Sequence, residues 1–137
     1  MAFRMSTDLK NALCLEVMTL FAGTSGTAGT AQLTIMAGSQ PGSADSSGTG
    51  GTLCVISGIG WNATTTGTAG LASSAYVGTA GTSGTAGWAR LETVNSSGTC
   101  RIDGDVGTAA GNVFTINVNS FTSGGEISLT AADIYMA

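Results

Sequence analysis

Trp88-Ala89-Arg90-Leu91-Glu92-Thr93-Val94, followed by Asn95-Ser96-Ser97-Gly98 and then Cys100-Arg101-Ile102-Asp103, decides the fold. In an extended chain successive side chains point to opposite sides, so Trp88 and Arg90 share one face while Ala89, Leu91 and Thr93 share the other. Asn, Ser and Gly are turn residues, because the short polar side chains bond their own backbone and glycine accepts either sign of φ. The stretch therefore predicts a β-hairpin with its return arm at Cys100 to Asp103, after which Gly104-Asp105 turns again.

Working outward, the same alternation recurs in short apolar segments between Gly, Ser, Thr, Asn and Asp clusters. Gln32 to Met36 and Leu53 to Ser57 are expected as strands, Trp61 and the stretch from Leu71 to Val77 as weaker ones. Val113 to Val118 and Glu126 to Met136 supply two more. Strands at this spacing, with no helices between them, predict a mainly β chain folded as an antiparallel β-sandwich or barrel. The run from Gly38 to Gly51 reads as a turn-rich connection.

One segment departs from this pattern. From Ser6 to Ala22, Leu9, Leu13, Val17, Leu20 and Phe21 recur at steps of three and four, the spacing of one helical face. Ser6 or Thr7 supplies a cap, Asp8 suits the positive end of the helix dipole and Gly23 ends the helix. The expected organisation is a helical arm over residues 1–22 and one β domain over 23–137, the helix either lying on its own domain or reaching a neighbouring subunit.

Glycine recurs at every third position in two runs, Gly23, Gly26 and Gly29, then Gly78, Gly81, Gly84 and Gly87. Period three is that of extended polyproline-type helices, which would allow the glycine-lined packing of some adhesins and ice-binding proteins. Without proline or a longer continuation, these Gly/Thr-rich stretches are expected as flexible or extended loops.

Only 9% of the 137 residues are charged and the net charge is −4, against roughly 25% charged in an ordinary globular domain. With four cations in all, no basic stripe exists to neutralise phosphates or to meet an anionic membrane, which argues against direct nucleic-acid and membrane partners. Glu16 interrupts the apolar stretch from Ala12 to Ala22, arguing against an export signal and for a protein assembled in the cytosol. A chain this poor in charge, with mean hydropathy +0.31, suits a surface covered by copies or partners.

The inventory of reactive groups is equally thin. Histidine is absent, which removes the commonest general base and zinc ligand. Cys14, Cys54 and Cys100 are odd in number and far apart, and read as small buried hydrophobes. Asp103-Gly104-Asp105 lacks the further oxygen ligands of a calcium loop and reads as a turn. Gly58-Ile59-Gly60 opens like a dinucleotide loop but continues into Trp61 without a third glycine. Trp61 and Trp88 are expected as core or interface anchors. The expectation is a non-enzymatic protein with no catalytic residue, no metal site and no cofactor.

Trp88-Ala89-Arg90-Leu91, Ser97-Gly98, the stretch from Ile102 to Thr108, Phe114-Thr115-Ile116-Asn117 and the stretch from Gly124 to Thr130, with Asn11 in the helix, resemble a group of small tailed-bacteriophage virion proteins. Residues 23–87 lie outside the likeness. It implies a β-rich structural protein of the virion. The leading role is capsid decoration or cement, bound to the major capsid protein as a homo-oligomer, with a trimer suiting threefold positions on a shell. A tail or fibre component that touches a host receptor is the alternative, and an ice-binding or cell-surface module a more distant third.

Overall fold

A computed structural model describes residues 5–22, 31–63, 68–95 and 98–135. Helix α1 spans Thr7–Ala22, and Ser6 caps it by accepting the Leu9 amide at 3.2 Å. The strands follow in order as β1 (Ala31–Met36), β2 (Thr52–Ile59), β3 (Trp61–Ala63), β4 (Thr68–Leu71), β5 (Tyr76–Thr79), β6 (Gly84–Thr85) and β7 (Trp88–Asn95). They continue as β8 (Gly98–Gly104), β9 (Val106–Gly107), β10 (Phe114–Ile116), β11 (Ser120–Phe121), β12 (Glu126–Ala132) and β13 (Ile134–Tyr135). The chain is mainly β and sandwich-like, with α1 the single helix among the described residues.

Two four-stranded sheets carry the fold, one ordered β2-β1-β7-β8 and the other β5-β12-β10-β9. The first is antiparallel throughout. The second is antiparallel except where β9 runs parallel to β10. A three-stranded sheet, β13-β4-β3, and the β11-β6 ribbon complete the shell. Leu33, Ile35, Ile56, Ala89 and Leu91 from the first sheet meet Phe114, Ile116, Ile127 and Leu129 from the second in one buried cluster.

The expected hairpin is present. Asn95 pairs with Gly98, and counting outward the register places Leu91 opposite Ile102 and Arg90 opposite Asp103; Ser96 and Ser97 lie outside the described residues. Bulges keep the apolar side inward where strict alternation fails. Ala31 faces Ile59 but Gln32 faces Ser57, so Gly58, at φ +73°, is the extra residue of β2. A similar slip between Thr115 and Ile116 lets both Leu129 and Ala132 point into the core.

Several expectations need correcting. Leu71 to Val77 is not one strand, since Leu71 ends β4 and Tyr76 opens β5. Val113, Asn117 and Val118 fall outside the three-residue β10, and β12 and β13 divide the stretch expected from Glu126 onward, Met136 lying outside the described residues. The short strands β6, β9 and β11 have no alternation to announce them.

Helix α1, expected either on its own domain or on a neighbouring subunit, packs against β3, β4 and β7. Its buried face keeps only the later part of the expected stripe. Phe21 and Cys14 enter the core and Val17 is half-buried, but Leu9 and Leu13 are 46% and 41% exposed. Each residue turns a helix by about 100°, so seating Cys14 inward swings Leu13 toward solvent. The residues of the first glycine run, Gly23, Gly26 and Gly29, lie outside the described residues.

The second glycine run is ordered and stitches the two large sheets together. Gly78 lies in β5, with the Val55 carbonyl oxygen 2.6 Å from where a Cβ would stand, and Gly84 packs on Leu53. Cys54 bridges Ala80, and the amide of Gly81 donates to Leu53 while that of Gly87 donates to Met36. Side chains at Gly78, Gly84 and Gly87 would hold these segments apart. The chain bends at Gly81 and Thr82, so the run is two short extended pieces and not one continuous flat face.

Candidate functional site

The outer face of the first sheet holds the molecule's most developed polar cluster. Alternation turns Trp88, Arg90 and Glu92 of β7 outward, and the hairpin register sets Asp103 and Arg101 of β8 beside them. Arg90 and Asp103 make a two-pronged ion pair, Nε to Oδ1 and Nη2 to Oδ2, both at 2.7 Å. Their side chains are 7% and 3% exposed. Two residues along the hairpin Arg101 Nε donates to Glu92 Oε2, in a pair about a third exposed.

Burial of an ion pair on an outer sheet face requires a cover, and residues 38–51 supply it. Arg90 Nη1 donates to the Ser46 carbonyl at 2.9 Å, and Trp88 Nε1 donates to the Thr49 carbonyl at 3.1 Å. The guanidinium carbon lies 5.3 Å from the Trp88 ring centre, a cation–π distance. Gly48 packs on the Met36 side chain, which approaches within 2.8 Å of a notional Cβ. Gly50, at φ +80°, would drive a Cβ into the Ala37 carbonyl, so only glycine closes this loop onto β1.

The cluster is chemically saturated. The hydrogen bonds to Asp103 raise the pKa of the Arg90 guanidinium further above its ordinary value, against burial, which lowers it. Both carboxylate oxygens of Asp103 accept from Arg90. Trp88 is buried, as expected, but it lies outside the main apolar cluster and anchors the 38–51 loop instead. Asp103 is not a turn residue, as the Asp103-Gly104-Asp105 reading had it. It belongs to β8, while Asp105 alone sits at the bend and accepts the Val113 amide at 2.8 Å.

The other residues singled out in the sequence take structural positions. Gly58 and Ile59 belong to β2 and lead directly into β3, with no helix following. Trp61 is 1% exposed, and its Nε1 has no hydrogen-bond partner among the described residues. Cys14 and Cys54 are buried free thiols whose pKa values are pushed up by burial, and Cys100 is half-buried. A cavity of about 220 Å³ is lined by Ile102, Asp103, Val113, Asp133 and Ile134.

What remains available to a partner is surface. Leu9, Leu13 and Leu15 of α1 and Val55 and Val77 at the β2–β5 junction are large apolar side chains each at least 40% exposed. Thr79, Thr82 and Thr85 stand outward between the glycines of the stitched run. Sequence reasoning missed the ion pair, although the register held its signal: with Asn95 opposite Gly98, Arg90 meets Asp103 and Glu92 meets Arg101, two cross-strand pairs of opposite charge. No protein-family model, characterised protein or solved structure matches the chain.

Proposed function

We propose that the protein acts as an assembled surface, and that its role is non-enzymatic decoration or cementing of a bacteriophage head through contacts with the major capsid protein. The observation that carries this reading is the exposure of Leu9, Leu13, Leu15, Val55 and Val77 on a chain that is only 9% charged. Exposed aliphatics with little charge to keep copies apart favour burial against copies or partners. The charged groups best placed on β7 and β8 are spent on internal pairs, which suits a rigid module.

The mechanism is mass action. A module that binds the assembled shell and not its separated subunits stabilises the shell by its binding free energy, and many weak contacts combine through avidity. Quantitative mass spectrometry of purified particles should find hundreds of copies per particle, and particles lacking the protein should lose integrity at a lower temperature. Unchanged thermal stability of the depleted particles would refute the reading. The outward threonines Thr79, Thr82 and Thr85 favour one second reading, a tail or fibre component that contacts a receptor. A few copies confined to the tail would establish it.

A further inference from the structure

We infer that α1 is a detachable cover, which opens from β3, β4 and β7 as a unit while the β domain stays folded. Three observations at the α1–β3 seam carry this. Among the described residues the indole Nε1 of Trp61, a residue only 1% exposed, has no hydrogen-bond partner, and neither has the buried Oδ1 of Asn11 on the helix that packs against β3. A buried donor or acceptor left unpaired loses its bonds to water without replacement, so opening the seam restores both. Meanwhile the seated helix buries Cys14 and Phe21 but leaves Leu9, Leu13 and Leu15 in solvent, so much of its apolar surface gains nothing from docking. The inner faces of the two large sheets are apolar and form one continuous cluster, which α1 joins through Cys14 and Phe21. Both unpaired buried side-chain atoms among the described residues thus belong to α1 and β3, and local opening follows weak contacts of this kind.

Two native thiols report on this separately. Cys14 is buried on the seated face of α1, and Cys54 is buried in β2. A thiol reacts as the thiolate, and a buried one must first be uncovered. Opening of α1 exposes Cys14 alone, whereas Cys54 needs the β domain to unfold. The full-length protein is treated with iodoacetamide and each cysteine is followed by peptide mass spectrometry across low urea concentrations. Cys14 is expected to label at least about ten times faster than Cys54, with a shallower urea dependence, because a helix exposes less surface than the whole domain. Equal rates with equal urea dependence would overturn the inference, since both thiols would then wait for global unfolding.

Asn11→Leu removes one unpaired group from the seam and should slow Cys14 labelling about ten- to a hundredfold with Cys54 unchanged. Thr19→Ala, on the exposed side of α1, is the control for helix propensity. Equal slowing by both variants would assign the opening to propensity and overturn the role of the seam. The inference does not depend on the decoration reading: a particle assay can fail with the labelling pattern intact, and the reverse.

Discussion

Asp103→Ala removes one side of a buried ion pair and leaves the other in place. Arg90 would lose two charge-assisted hydrogen bonds of 2.7 Å and keep only the Ser46 carbonyl and the Trp88 ring. Bonds of this kind contribute about 1.5–3 kcal/mol each, and stranding a buried charge typically costs about 3–5 kcal/mol. We expect a loss of about 3–5 kcal/mol in urea unfolding followed by fluorescence, with the slope m unchanged. The matched exposed pair is the control, since Glu92→Ala should cost no more than about 1 kcal/mol. Replacing both partners, as Arg90→Met with Asp103→Leu, should cost less than Asp103→Ala alone, because no charge is then left buried. A loss below about 1 kcal/mol for Asp103→Ala would refute the reasoning, as it would mean that water reaches Arg90 beneath the 38–51 loop.

Trp88→Ala is expected to cost about 3–5 kcal/mol and to free residues 38–51, so that limited proteolysis cuts the variant within this loop and spares the wild type; an uncut loop would show that it is held elsewhere. Gly87→Ala should cost about 1–3 kcal/mol or more, because its Cβ would stand 2.0 Å from the Gly38 carbonyl oxygen, whereas Gly81→Ala meets nothing closer than 4.0 Å and should stay within about 0.5 kcal/mol. Thermal unfolding of the two variants side by side checks both figures, and equal losses would contradict the stitched arrangement of the second glycine run.

The first sheet was legible because its signals are local. Alternation from Trp88 to Thr93 states which side chains share a face, and the turn residues after Val94 state where the chain reverses. What covers the outer face was not legible. Trp88 and Arg90 are held by the carbonyls of Ser46 and Thr49, and every residue type offers a carbonyl, so the acceptors leave no trace in composition. The helix shows the opposite failure. Its periodic stripe runs from Leu9 to Phe21, yet tertiary packing seats Cys14 with Val17 and Phe21 and leaves Leu9 and Leu13 outward, and periodicity alone does not fix which part of a stripe is seated.

The second glycine run shows where period alone misleads. Four glycines three residues apart read equally as a mobile loop or as a regular glycine helix, and the chain adopts neither. Gly78 and Gly84 are small because Val55, Ile56 and Leu53 of β2 lie against them, and Gly87 because the backbone of Gly38 does. The missing side chains let one segment leave the second sheet, cross the edge strand of the first and enter β7 directly. An edge strand left bare exposes a row of unpaired backbone groups. Here the Leu53 carbonyl accepts from Gly81, and Cys54 bridges Ala80, so the crossing chain partly closes the β2 edge. Val55 and Val77 remain exposed beside that crossing. A partly closed backbone edge with apolar side chains left outward favours contacts made through side-chain surfaces over strand addition.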